Sequence, residues 1–218
     1  LLRRSLDRMR AGAARQFPLA AFFGEPRPLE LYITWGVCYH NRVMQNQAFP
    51  PSIERLAAAG CRDPEQARRN LERLAGPSHL SLFQLILPLL MDRLANLPDP
   101  DMALNNLERY AEAVLDRGFL FSLFRDSPKS LDLALTLFGS SQHLSDVLIR
   151  FPQDFHWLLQ PGLLRQTRSK EELVEDLNGL VARVKTQERA WAALRRFKMR
   201  EALRIGLQDL LGNLDLID

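Results

Sequence analysis

The sequence predicts an all-α fold, a multi-helix bundle that ends in a long C-terminal helix. Three observations predict it. Asp63-Pro64, Asp99-Pro100 and Ser127-Pro128 each set a capping oxygen before a proline suited to a first helical turn. Gly60, Gly76, Gly118, Gly139 and Gly212 stand where helices would need a left-handed stop. Between these marks apolar residues recur three and four apart, as in Ala67, Leu71, Leu74 and in Leu104, Leu107, Ala111, Leu115.

Taken in order, these signals place helices near 2–12, 28–46, 51–59, 64–75, 79–96, 100–117, 119–125, 128–138, 141–150 and 153–160. Residues 13–27 form a loop around Pro18, Gly24 and Pro26. Pro88 should kink or break the helix that contains it. Leu131, Leu133, Leu135 and Leu137 alternate like a strand, but the cap before them and Gly139 after them favour a helix. Ser140 or Ser141 should cap the next one. Ser169 and Glu172 make a capping box that opens a helix to about Lys185, and a last helix runs from Gln187 to Leu211. The expected division is a small N-terminal helical subdomain, 1–59, of no assignable role, followed by a helical region, 60–218.

Composition narrows the function. At 218 residues, 46% hydrophobic and 25% charged, the chain can bury a sizeable core. A net charge of +3 is small for a dedicated nucleic-acid binder. Cys38 and Cys61 are too few for a disulfide framework or a zinc site, and fit free thiols in a reducing cytoplasm. The best apolar run, Leu80 to Met91, contains Gln84 and Pro88 and is short for a membrane span. The opening Leu1-Leu2-Arg3-Arg4 reads as the cut edge of a longer protein.

Catalytic signatures are missing. No phosphate-binding glycine loop, His-Glu-x-x-His or Cys-x-x-Cys occurs. His40, His79, His143 and His156 are scattered. Asp99 and Asp101 would hold a metal if they shared a strand face, but at a helix start they serve as cap and dipole partner. Asp215 and Asp218, three apart, make no better pair. Gly139-Ser140-Ser141 is similar to a nucleotidyltransferase Gly-Ser turn, yet Asp146 stands alone behind it. Trp35, Trp157 and Trp191 are expected in the core. No catalytic residue, metal ligand or cofactor-binding residue is assigned to this chain.

One feature rises above this background. Arg183, Lys185, Arg189, Arg195, Arg196, Lys198, Arg200 and Arg204 face only Glu188 and Glu201 along the last helix. Arg196, Arg200 and Arg204 are one turn apart and share a line. Apolar residues surround much of the rest of the helix, so some of these guanidinium groups should be enclosed and need carboxylate or phosphate partners. Two roles follow: internal salt bridges, or a contact surface for an adjoining domain, a partner or a nucleotide.

The segment Leu194-Arg195-Arg196-Phe197-Lys198-Met199-Arg200-Glu201-Ala202-Leu203-Arg204-Ile205, followed by Asp209-Leu210-Leu211-Gly212, resembles glutamine synthetase adenylyltransferases, in which such a helix leads into each nucleotidyltransferase domain. Leu137 to Asp146, Arg150 to Phe155 and Asp99 to Arg109 extend the resemblance over about 60–218. It implies a parent enzyme, using ATP and Mg2+, that attaches AMP to glutamine synthetase and removes it, so regulating nitrogen metabolism. It implies the PII signalling protein as a regulator and the cytoplasm as the location. The expectation is a non-catalytic helical fragment preceding one such domain. The alternative is a free-standing helical interaction module, and binding of nucleic acid through the basic helix ranks last.

Overall fold

The computed structural model describes residues 49–212. Among them run nine helices and no strand: α1 Ile53–Ala58, α2 Pro64–Leu94, α3 Pro100–Ala113, α4 Arg117–Asp126, α5 Pro128–Ser140, α6 Gln142–Arg150, α7 Asp154–Leu158, α8 Lys170–Val181 and α9 Gln187–Leu210. The all-α expectation with a long last helix holds. The expected helices at 2–12 and 28–46, the loop 13–27, Trp35, Cys38, His40, Asp215 and Asp218 lie outside the described residues.

The local chemistry of the helix starts is visible. Asp63 accepts from the Gln66 amide and Asp99 from that of Met102, both at 2.9 Å. Ser141 caps α6, and the Ser169–Glu172 box makes both of its bonds. Asp101 does more than face a helix dipole. Its carboxylate accepts from the backbone amides of Arg62 and Asp63 at 2.7 and 3.1 Å, stitching the α1–α2 turn to the start of α3.

Two expectations change. Gly118 opens a helix instead of ending one, because Asp116 accepts from the Phe119 amide and starts α4 there. Helix α2 runs through Pro88 with helical dihedrals, and its break falls at Gly76, whose φ of 51° suits a residue without Cβ. That break leaves open carbonyls on the preceding turn, and Arg117 donates to the Arg73 carbonyl at 2.9 Å.

Helix α5 sits at the centre, packed by α2, α3, α4, α6 and α9. This explains its alternating leucines: Leu131, Leu133, Leu135 and Leu137 are all buried because helices surround them. Rings knit the core, with Phe83 on Phe121 at 5.3 Å and Tyr110 on Phe138 at 5.4 Å. Each fully buried Leu or Phe contributes about 2–3 kcal/mol. By length and a mean hydropathy of 1.4, α2 could cross a membrane, but Phe83, Ile86, Leu87, Leu90 and Leu94 are instead core residues. Helix α1 packs on α2 and buries Leu56 completely, so residues 53–58 share a core with residues from 64 on.

Candidate functional site

Thr186 caps α9, and the helix then follows two regimes. Its C-terminal half is anchored: Leu203 and Leu207 are fully buried, and a Cβ on Gly206 would stand 2.7 Å from Leu144 of α6. Its N-terminal half, from Gln187 to Arg200, buries no residue.

The three arginines of the sequence stripe lie on the side turned toward the bundle. The Arg196 guanidinium stacks 3.9 Å from the Phe151 ring centroid and donates through Nη2 to Asp154 Oδ1. Arg200 stacks at the same distance, 3.9 Å, on Trp157. The Asp154 side chain is only 5% exposed. Asp154 Oδ2, Arg196 Nη1 and Arg200 Nε are buried with no hydrogen-bond partner among the described residues. Arg196 is thus bonded to the carboxylate, whereas Arg200 makes no salt bridge to it and feels it only as a nearby charge. Burial lowers the pKa of Arg200, and its Asp154 neighbour offsets part of that.

Arg204 is enclosed, at 3% exposure. Its Nε donates to Glu201 Oε2 and its Nη1 to Gln208 Oε1, both at 2.8 Å, and Nη1 also reaches the Gln166 carbonyl. Glu201 takes a further bond from Arg168, which in turn pairs with Asp176 of α8. This network ties the 159–169 loop and α8 to α9. The geometry therefore separates Arg204, which cannot meet an outside partner without leaving its bonds, from the half-buried Arg196 and Arg200.

The outward side of α9 carries other residues. Trp191 is 54% exposed and Ile205 44%, with Arg189, Arg195 and Lys198 also exposed. Trp191 departs from the core position expected of it. The periodicity could not find this face, because apolar residues occur around the whole circumference and gave the helix no preferred direction.

The other sequence candidates stay apart. Ser140 ends α5, Gly139 packs against Ala103, and Asp146 binds Arg109 and Gln142. His79 sits edge to ring with Phe121, and His156 lies tilted against Phe119. A wide cleft of about 470 Å³ is lined by Leu163, Gln166, Thr167, Arg168, Glu172, Glu175 and Asp176. Two of its charged groups already pair with each other. Among the described residues no group of three or more His, Cys, Asp or Glu is placed to hold a metal ion.

Residues 131–218 match the family model of glutamate-ammonia ligase adenylyltransferase. Bifunctional glutamine synthetase adenylyltransferase/adenylyl-removing enzymes are similar over most of the chain. That of Leifsonia xyli is 31% identical over 72% of this chain and 16% of its own length. Those of Mycolicibacterium smegmatis and Mycobacterium marinum are 31% and 30% identical, over 75% and 91% of this chain and 17% and 20% of their own. The chain thus spans a fifth or less of the length of these relatives. No solved structure matches it. The matched segment holds the anchored α9 and most of the central α5 around which the bundle packs, and on this similarity residues 131–218 belong to the glutamate-ammonia ligase adenylyltransferase family.

Proposed function

We propose that this chain is a non-catalytic helical segment of a glutamine synthetase adenylyltransferase and serves as a scaffold for a nucleotidyltransferase domain. The observation that carries the reading is the family match over 131–218, which runs through the whole of α9. Helix α9 has the mechanics of a strut. Its C-terminal half is packed into the bundle, and Arg196 and Arg200 fix its angle by stacking on Phe151 and Trp157.

The parent enzyme would attach AMP to glutamine synthetase and remove it, in the cytoplasm, under the control of PII. Among the described residues no group of three or more His, Cys, Asp or Glu is placed to hold a metal ion, and the Gly139-Ser140 pair closes a helix. In this proposal the nucleotide and its metal belong to a domain outside the described residues.

The test is direct. Purified chain, glutamine synthetase, Mg2+ and labelled ATP are incubated, and label on glutamine synthetase is counted beside a full-length family enzyme. Label is expected with the full-length enzyme alone. Transfer by this chain would overturn the proposal.

A further inference from the structure

From Lys170 through Arg200 no residue is buried, although both α8 and the first half of α9 lie in this stretch. On α8 Leu173, Leu177 and Val181, each four apart, are half-buried, while Val174 and Leu180 are exposed. On α9 Ala190, Leu194, Phe197 and Glu201 share one line by helical spacing. Glu201 takes the bond from Arg168, which also holds α8, so this line is the side of α9 turned toward α8. Helix α8 packs chiefly on α9, and the seam between them is only partly covered. A helix of 12 residues on such a seam is marginal in water.

The two ends of this stretch are fixed more firmly than its middle. Before α8, the Gln166 carbonyl accepts from Arg204 Nη1 at 3.2 Å and from Gln208 Nε2 at 3.0 Å, and Arg168 Nη1 donates to Glu201 Oε1 at 2.8 Å. After it, Thr186 caps α9. Between these points α8 rests on its half-covered seam and on Arg168, whose Nη2 bonds Asp176 Oδ2 and reaches the Glu172 carbonyl at 3.4 Å. An exposed ion pair is usually worth little, because two long side chains must be ordered to make it. Here Arg168 is already held by Glu201, so only the Asp176 side chain has to be ordered.

We propose that residues 169–185 form a strap that lifts from α9 as a unit while the bundle stays folded, and that Arg168 is its latch, joining Asp176 of α8 to Glu201 of α9. Lifting takes cover from Leu194 and Phe197. It leaves Leu203 and Leu207 packed in the core, so it changes the surface of the half of α9 that buries no residue without releasing the helix. The cleft between Leu163, Gln166 and Thr167 of the loop and Glu172, Glu175 and Asp176 of α8 opens with it. Segments with few buried apolar contacts open at a far lower free energy than the core of the same protein.

Amide hydrogen exchange of the full chain at low salt, read by mass spectrometry, tests both parts. Peptides from 170–181 should open at least about 100-fold more often than those from 131–138. Asp176→Asn removes the latch charge with little change in helix propensity, and should raise the opening of 170–181 about three- to fivefold while 131–138 stays as it was. Glu175→Gln removes the same charge from the next residue, which takes no bond from Arg168, and should change that opening less than about twofold. At about 1 M salt, where the screening length is about 3 Å, the wild type and Glu175→Gln should open several times more often, and Asp176→Asn should be nearly unmoved. Exchange of 170–181 as slow as that of 131–138 would mean that α8 opens only with the whole bundle, and would overturn the strap. Equal effects of the two variants, or a salt response of full size in Asp176→Asn, would overturn the latch.

Discussion

The guanidinium of Arg200 lies 3.9 Å from the centre of the Trp157 ring, and one turn earlier Arg196 lies at the same distance from Phe151. The two stacks make a clamp that holds α9 across α7 and the residues preceding it. Asp154, the first residue of α7, supplies the negative charge between them. Stacking on aromatic faces lets the weakly hydrated guanidinium accept partial burial that an ammonium would resist.

The clamp makes unequal predictions for its members. Asp154→Ala removes the carboxylate bonded to Arg196 and the nearest counter-charge named for Arg200, and leaves two half-enclosed guanidinium groups without it. The expected loss is about 2–3 kcal/mol, below the full cost of a broken buried pair because Arg196 keeps some contact with water. Arg200→Met loses its stack but also an incompletely paired buried charge, so the net change should stay within about 1 kcal/mol. Urea unfolding of both variants in one buffer measures the difference. Equal losses would mean that Asp154 is not the counter-charge of the clamp.

Gly206 is a point of close approach between α9 and α6. A Cβ there would lie 2.7 and 3.1 Å from the two methyls of Leu144. Alanine gains about 1 kcal/mol of helix propensity, but overpacking costs about 1–3 kcal/mol. Gly206→Ala should therefore be neutral to destabilising by up to about 2 kcal/mol, despite the better helix former. Combined with Leu144→Ala, the alanine finds space, so the two changes together should cost less than their sum by about 1 kcal/mol. Additive unfolding energies would show that the helices separate freely at this point.

Much of this fold could be read from the sequence because helix starts are local. Asp63, Asp99, Ser141 and the Ser169–Glu172 pair act on amides three residues away, so spacing alone reveals them. The direction of a helix is not local. Spacing puts Arg196, Arg200 and Arg204 on one line, but their partners come from Phe151, Asp154, Trp157 and Gln166, brought in by the bundle. The same limit hid Trp191, whose exposure depends on where α9 leaves the body. Gly118 misled for a different reason: the Asp116 cap two residues before it starts a helix, and a glycine in a first turn is tolerated.

Cys61 is predicted to be inert. Burial, with Asp101 and Asp99 nearby, pushes its thiol up to about 11. At pH 8 about one thiol in a thousand would be ionised, against roughly a quarter of an ordinary cysteine. Iodoacetamide should modify the Cys61 peptide at least about 100-fold more slowly in the folded chain than in urea. Mass spectrometry of digested samples reads this peptide separately from that of Cys38. Comparable rates would show that the α1–α2 turn opens readily.

Glu108 should make stability depend on pH in the sense opposite to an ordinary salt-bridged carboxylate. Its side chain is 8% exposed on α3, and the Arg73 Nε lies 3.0 Å away. Burial raises its pKa, the neighbouring Glu112 adds to the rise, and Arg73, Arg117 and Arg109 offset it only in part. The folded chain therefore binds the Glu108 proton at a pH where the unfolded chain has already released it. This group's contribution is fully present below the unfolded value near 4.3 and is lost as the pH rises through the folded value. Glu108→Gln removes that term, so the stability of wild type minus variant should increase as the pH falls from 7 toward 4. Urea midpoints at pH 7, 5.5 and 4.5 follow it. A difference that shrinks over that range would mean that Arg73 outweighs burial, and that the carboxylate is stabilised as an ion in the folded chain.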